Sequence, residues 1–500
     1  MLHDKKYLWK DRPFKVEGLW FPSFDENKKV YGKLSYEPEN GAFLSLYFEG
    51  KNYWHSNIVY HGSGSRLGHT HSYTCLKLEY DFGGPRSRGI DTDLSRDITV
   101  RHYRVGLVLS GFHLPDYETE EPENITEMSF SLKNLNSFIE SSGFSFEREK
   151  DSFRVSYRGD EGSWERLTGG FEYRISKDAF APHEVEDFGI VETQEYVQFK
   201  IRAVGKGAKK LSDFTRFLEP VSDFFSLASH DLASPFHVFI KGDFEYKDSK
   251  EHFAGTKVGG GLYFSDIRRS DVWFEARKEY FVFCEEDLEE PLGVYLGRWL
   301  GKYKKIFTPF SLYKSAVYQK NFAESYLLLL AQAVEVYHRE MVGGTYMDQN
   351  RYNSEIIPQM NASIPDSLAD DHKSSLKAKI RFGNEYALWK RVKLLIAQNR
   401  DILEHYIPIE NHLARDITNA RNFFTHYSGA SAYPSSDRLN FYITILKALF
   451  EISLVRELGF SGEKVKELIH GCESYRYIEY NAPWSLRHEK EEKSEEARKQ

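Results

Sequence analysis

The hydrophobic period of this chain changes once, between Glu285 and Leu292, and that change constrains its fold more than any single motif. Ahead of it, apolar side chains alternate: Leu44, Leu46 and Phe48; Tyr103, Val105, Leu107 and Leu109; Val197, Phe199 and Ile201; Phe236, Val238 and Ile240. A period of two puts each set on one face of a strand. Val272 with Phe274, and Tyr280 with Val282, read as late strands. Turn signals separate the runs at Glu39-Asn40-Gly41, Gly83-Gly84-Pro85, Gly169-Gly170 and Gly259-Gly260-Gly261. Many short strands with Gly-rich punctuation predict a sandwich or barrel-like architecture. Two helical interruptions are expected, Leu132 to Ser141 and Leu211 to Ala228, the second kinked at Pro220.

Beyond the change, apolar residues recur every three or four positions. Leu292 to about Ile306 opens the helical part. Asn321 to Met341 is read as a long helix with Phe322, Tyr326, Leu329, Leu330, Ala333, Val336 and Tyr337 as its buried stripe. Its other side carries Gln332, Glu335, His338 and Arg339. Tyr346 to Ser363 is polar and reads as a surface loop. Helices are expected over Asp366–Ile380, Tyr386–Asn399, Ile409–Ser428, Ser436–Leu458 and Gly462–Gly471. The tail from Arg487 is nearly all charge and should be disordered. The fold class is therefore α+β and multidomain: a β-rich half over 1–288, an all-α bundle over 289–480 and a charged tail over 481–500, with the boundary between about Asp287 and Leu292.

Composition narrows the function classes. With 41% hydrophobic and 28% charged residues, neither a disordered nor a membrane class fits. No apolar run approaches the roughly 18 residues of a membrane span, and the N-terminus has no signal-peptide core. Three scattered cysteines, Cys75, Cys284 and Cys472, give neither a disulfide framework nor a zinc site. A cytoplasmic location is expected. A net charge of −8 argues against a broad basic surface for nucleic acid, so any RNA contact must be local.

The stretch Ile409–Ser428 carries the most chemistry. Ile409, Leu413, Ile417, Ala420 and Phe424 form a helical stripe, with Gly429 and Pro434 as stop signals. On the same helix, R-N-F-F-T-H sets Arg421 and His426 five residues apart, about 140° in azimuth and about 7.5 Å along the axis. The two can flank one groove, a guanidinium gripping a phosphate and an imidazole moving a proton. His426 falls in the last turn, where the negative end of the helix favours a cation. Asn422 orients the phosphate or the imidazole, or is a solvated polar residue. Glu335 holds Arg421, or simply pairs with Arg339 four residues on. Tyr427 donates to phosphate, or packs. A different chemistry would come from His61, His69 and His71 in H-G-S-G-S-R-L-G-H-T-H as metal ligands, although no further ligand is evident.

R-N-F-F-T-H resembles the Arg-x-x-x-x-His signature of HEPN ribonucleases, including the polar residue directly after the arginine. The order of elements carries the resemblance further. An early helix of the C-terminal part reads L-L-L-L-A-Q-A-V-E-V-Y-H-R-E and is similar to an ApeA-type HEPN domain. Trp20-Phe21-Pro22, Gly32-Lys33-Leu34-Ser35-Tyr36 and Ala42-Phe43-Leu44-Ser45-Leu46 resemble the opening of the ApeA N-terminal domain. The resemblance implies an anti-phage abortive-infection protein whose HEPN domain cuts RNA without a catalytic metal or other cofactor, tRNA being a known kind of target. It further implies Arg421 and His426 as the catalytic pair, with Asn422, Glu335 and Tyr427 in support. A homodimer or higher assembly through the HEPN domain, and an N-terminal half that senses a phage-derived trigger, complete the expectation. The alternative is a non-catalytic HEPN module for dimerisation or RNA binding, with the N-terminal half as the working part.

Overall fold

A computed structural model describes residues 13–22, 27–38, 40–49, 60–66, 69–80, 88–90, 97–110, 122–139, 142–150, 152–159, 162–185, 190–205, 209–242, 258–264, 276–406, 409–426 and 434–481. The chain forms two compact units, Met1–Lys278 with Phe283–Gly297, and Glu279–Val282 with Arg298–Gln500. The division falls at Gly297, inside a helix that runs Leu292–Val317. No helix among the described residues is long and apolar enough to cross a membrane. The charged tail and the pair Val272 and Phe274 lie outside the described residues.

The first unit is built on a 13-stranded sheet whose pairings are antiparallel. One part of it closes on itself. Asp97–Ser110 pairs with Gly41–Glu49, and the ladder continues through Val30–Glu37, Phe14–Pro22, Tyr60–Arg66 and His69–Tyr80. The last of these returns to Asp97–Ser110. Closure into a barrel satisfies backbone groups that an edge strand would leave unpaired. Its core holds the expected alternating residues, Leu44, Leu46, Phe48, Tyr103 and Val105, around a fully buried Trp20. Gly32 makes room for that indole, since a Cβ there would lie 2.7 Å from Trp20 and from Leu46.

The rest of the sheet branches from the far end of Asp97–Ser110 through Val258–Phe264 and Pro235–Gly242. It runs on through Ile125–Leu132, Ile190–Ala203, Phe171–Val185 and Glu165–Thr168. Leu218–Ser229 buries every residue but Glu219. It packs Phe225 against Phe199 of the sheet and Phe138 of the short helix Leu135–Phe138.

Three local expectations are corrected here. Gly259-Gly260-Gly261 lies inside a strand, not at a turn, and Gly261 lets Ser110 approach to where its Cβ would stand 3.1 Å away. Lys278–Tyr280 is a 3-10 turn rather than part of a strand. The predicted 211–228 helix breaks at Arg216 and Phe217 into Leu211–Thr215 and Leu218–Ser229. Pro220 sits in the first turn of the second piece, where its missing N–H breaks no intrahelical bond.

The second unit is helical. Its axis is Ser436–Glu457, which buries residues on every side, as expected of a helix enclosed by others. Ala323–Tyr337 packs along it, and Leu388–Gln398 and Leu413–His426 pack against that helix in turn. The stripe on Ala323–Tyr337 is partly rotated from the expected one: Leu330, Ala333 and Tyr337 are buried as expected, Leu327, Ala331 and Val334 are buried in addition, and Phe322 is 84% exposed. Four consecutive leucines supply an apolar residue in every direction, so packing against Ser436–Glu457 selects the face. Residues 346–363 are not a loop but short helical turns, Gln349–Arg351, Tyr352–Ile356 and Ile357–Ala362. Tyr352 anchors them, buried and donating to the Ile380 carbonyl at 2.6 Å.

One carboxylate lies fully inside the bundle. Glu451 accepts from the phenols of Tyr313 and Tyr475 (2.8 Å for Tyr475) and pairs with Lys447 at 2.9 Å. Burial and the adjacent Glu451 charge hold both phenols protonated well above their usual range. A buried charge with three partners is strongly destabilising to break, by about 3–5 kcal/mol. Glu451→Ala should therefore lower the unfolding midpoint of the helical unit, followed by far-ultraviolet circular dichroism in urea. Coincident wild-type and variant curves would show that the carboxylate adds no net stability.

Candidate active site

The helix Leu413–His426 is shorter than its sequence stripe, because Ile409 lies ahead of it and is only half-buried. The remaining stripe holds: Leu413, Ala414, Ile417, Ala420 and Phe424 are buried. Asp416 stands in the first turn, where a carboxylate suits the positive end of the helix. His412 Nε2 reaches both Glu410 (3.2 Å) and Asp416 (3.4 Å), and Arg438 binds Glu410 at 3.3 Å. Glu410, His412 and Asp416 are the one group of three among the described residues close enough to share a cation. The Arg438 guanidinium already supplies Glu410 with a positive partner, so the cluster is complete as a clasp at the start of the helix.

With that face turned inward, Arg421 lies on its flank beside Ala414, while Asn422, Thr425 and His426 fall on the other side of the helix. Arg421 and Asn422 are half-buried, and His426 is exposed as the last helical residue. The Arg421 Nη1 donates to Asn422 Oδ1 at 3.1 Å, and the Thr425 hydroxyl folds back onto the Arg421 carbonyl at 2.8 Å. Asn422 thus steadies the guanidinium from the neighbouring position. Glu335, on the helix packed beside this one, instead pairs with Arg339 at 2.9 Å. Tyr427 and Gly429 lie outside the described residues. The strands carrying His61, His69 and His71 pair Arg66 with His69, Gly64 with His71 and His61 with Thr74, and the side chains of these histidines are not among those described.

A buried polar cluster that the sequence did not reveal lies beside the motif helix. Ala323–Tyr337 ends in a π-helical turn, His338–Val342, closed by Gly343 and Gly344 with φ of 80° and 108°. His338 continues the buried stripe of Leu327, Ala331 and Val334, so it is 1% exposed instead of lying on the polar face. Arg391, also 1% exposed, reaches it from Leu388–Gln398. Its Nη1 lies 3.1 Å from His338 Nδ1 and donates to the Gly343 carbonyl at 2.8 Å, while Nε donates to the Tyr386 carbonyl at 2.8 Å. Glu385 faces Arg391 at 3.8 Å and Arg339 at 3.3 Å. The cluster therefore ties together the two helices that flank the motif helix. The signal in the sequence was the Gly343-Gly344 pair shortly after a histidine, which marks a strained helix end but does not name its partner.

Burial, and then the Arg391 charge, hold His338 below its ordinary imidazole value; burial and His405 do the same for His470. Each stays neutral in the fold after the unfolded chain has taken up a proton. Stability is complete above about pH 6.5 and falls as pH drops through that value, by at most about 1.4 kcal/mol per pH unit for each group. Melting of the helical unit should therefore move down between neutral and mildly acid pH. His338→Gln should flatten part of that dependence, and an unchanged slope in the variant would rule out His338 as its source.

What the arrangement can do follows from its groups: a guanidinium able to bind an oxyanion through two donors and an exposed imidazole able to take or give a proton, both on one helix. The family model for Apea-like HEPN matches residues 328–464, which contain the motif helix, the π-helical turn and Arg391. That for ApeA N-terminal domain 1 matches residues 15–299, more than half of the chain. No curated protein matches it. HEPN domains are generally nucleases, and the pairing of these two domains supports a role in anti-phage defence. The chain belongs to the ApeA family, an ApeA N-terminal domain joined to an Apea-like HEPN domain.

Proposed function

We propose that the C-terminal domain is an endoribonuclease in which Arg421 and His426 cleave RNA without a metal, and that its N-terminal domain controls it. The observation that supports this reading is the motif helix: inside a region matched as HEPN, burial of Leu413, Ile417, Ala420 and Phe424 leaves Arg421 half-buried on the flank and His426 exposed at the helix end. In the chemistry we assign, the ribose 2′-hydroxyl attacks the adjacent phosphorus. The P–O5′ bond breaks, leaving a 2′,3′-cyclic phosphate and a 5′-hydroxyl. His426 takes or gives the proton, and Arg421 holds the charge that builds on the phosphate. Asn422 keeps the guanidinium in place. One imidazole per chain cannot serve both proton transfers at once, so a two-fold pair of motif helices is the natural assembly, and a homodimer is part of the proposal. The substrate class carried by the family resemblance is tRNA, and the controlling signal is a phage-derived trigger at the N-terminal domain.

Sequencing of RNA ends from cells producing the wild type and His426→Ala tests the reading. The wild type should generate cyclic-phosphate and 5′-hydroxyl ends, and His426→Ala should reduce them by about 10²–10⁴-fold without loss of fold. Arg421→Lys keeps the charge but not the two-pronged geometry and should be severely impaired. Chelation should have no effect. Magnesium-dependent cleavage that leaves 5′-phosphates, or a His426→Ala protein that still cuts, would refute the assignment. Light scattering tests the assembly independently: a monomer that still cleaves would remove the dimer from the scheme.

A further inference from the structure

The positive charge of the C-terminal unit collects where the catalytic pair does not use it. From Lys377 to Lys393 the chain carries Lys377, Lys379, Arg381, Lys390, Arg391 and Lys393 against a single carboxylate, Glu385, in a chain of net charge −8. Arg391 is buried in the cluster already described; Lys377, Lys379, Arg381 and Lys393 are exposed. Among the described residues none of these four forms an ion pair. Other cations of the unit are paired within their own helices, as in Arg400 with Glu404 and Lys464 with Glu467.

The helix that carries three of them, Asp370–Phe382, buries none of its residues. Its few apolar residues are half-buried at most, as Leu376 and Ile380 are, so packing on its own domain stabilises it little. The next helix, Leu388–Gln398, sets part of this charge beside the motif helix. It packs directly on Leu413–His426, and the Arg415 guanidinium of the motif helix lies 5.5 Å from the Trp389 ring. Lys393 stands one turn beyond Trp389 on the same side of its helix.

We propose that Asp370–Phe382 and the exposed face of Leu388–Gln398 form the docking surface for the phosphate backbone of the RNA, delivering it to Arg421 and His426. This rests on the nuclease reading for the identity of the polyanion. A second copy of the chain fits less well, because a two-fold axis through this surface would set like charges against each other. Lysine and arginine side chains without carboxylate partners release counterions from a polyanion instead, and this sequence-independent term dominates affinity for nucleic acid. It also accounts for RNA binding by a chain that is acidic overall.

The test uses the full chain carrying His426→Ala, so that the probe stays intact, and a fluorescein-labelled tRNA transcript followed by anisotropy across a salt series. Lys377→Gln, Lys379→Gln, Arg381→Gln and Lys393→Gln together should weaken binding at least about tenfold. They should also flatten the slope of log affinity against log salt by about one unit for each phosphate that is no longer neutralised. Lys464→Gln with Lys466→Gln, which removes paired cations elsewhere in the unit, should leave the slope in place. The melting midpoint of each variant reports that it is folded.

Wild-type affinity and slope in the fourfold variant would overturn the docking surface and leave the nuclease reading standing. A fourfold variant that binds tRNA normally but changes its oligomeric state would overturn it in favour of a second copy. Salt-dependent binding that the four substitutions abolish, in a chain whose wild type cuts no RNA, would support the surface and sink the nuclease reading instead.

Discussion

The site depends on the rotation of one 14-residue helix about its own axis. A helix of that length is marginal in isolation. Burial of Leu413, Ile417 and Phe424, each contributing about 1.5–3 kcal/mol, holds Leu413–His426 on its neighbours and fixes which way every other residue points. His426 is exposed and Arg421 is half-buried on the flank of the buried stripe because the apolar positions take the inward direction. Asn422 and Thr425 then act locally, one holding the guanidinium and the other bonding back to the helix backbone.

The neighbours of that helix are held by polar groups as well as by apolar packing. Arg391 gives hydrogen bonds to two backbone carbonyls from different segments, Gly343 and Tyr386, and sets its guanidinium against the His338 ring. Such a residue cannot be moved without stranding several buried acceptors at once. Glu451 does the same at the far side of the bundle, joining Leu292–Val317, Ser436–Glu457 and Glu473–Asn481 through Tyr313, Lys447 and Tyr475. These two polar nodes give the bundle one arrangement rather than several of similar apolar content.

Charge is partitioned in the same unit. Many of its described surface cations are neutralised by carboxylates three or four residues away, a pattern that serves solubility and local helix stability. Lys377, Lys379, Arg381 and Lys393 are not, and the helix that carries Lys393 packs on Leu413–His426. A local basic surface on an acidic protein accepts polyanions there while the net charge repels them elsewhere.

The period of the apolar residues determined by itself that a β-rich part precedes a helical one. It also determined the apolar face of Leu413–His426, since Leu413, Ile417, Ala420 and Phe424 leave one choice of buried side. The spacing of Arg421 and His426 was equally legible, because five residues on a helix set a distance whatever surrounds it. The tertiary structure alone decided the rest. Four leucines in a row at 327–330 carry no direction, so only packing could choose the stripe that buries Leu327 and Leu330 and exposes Phe322. Three glycines at 259–261 read as a turn until the sheet placed Ser110 against one of them. Barrel closure, and the meeting of Arg391 with His338, join residues dozens of positions apart. No local pattern encodes such a pair, because its energy exists only once the intervening chain has folded.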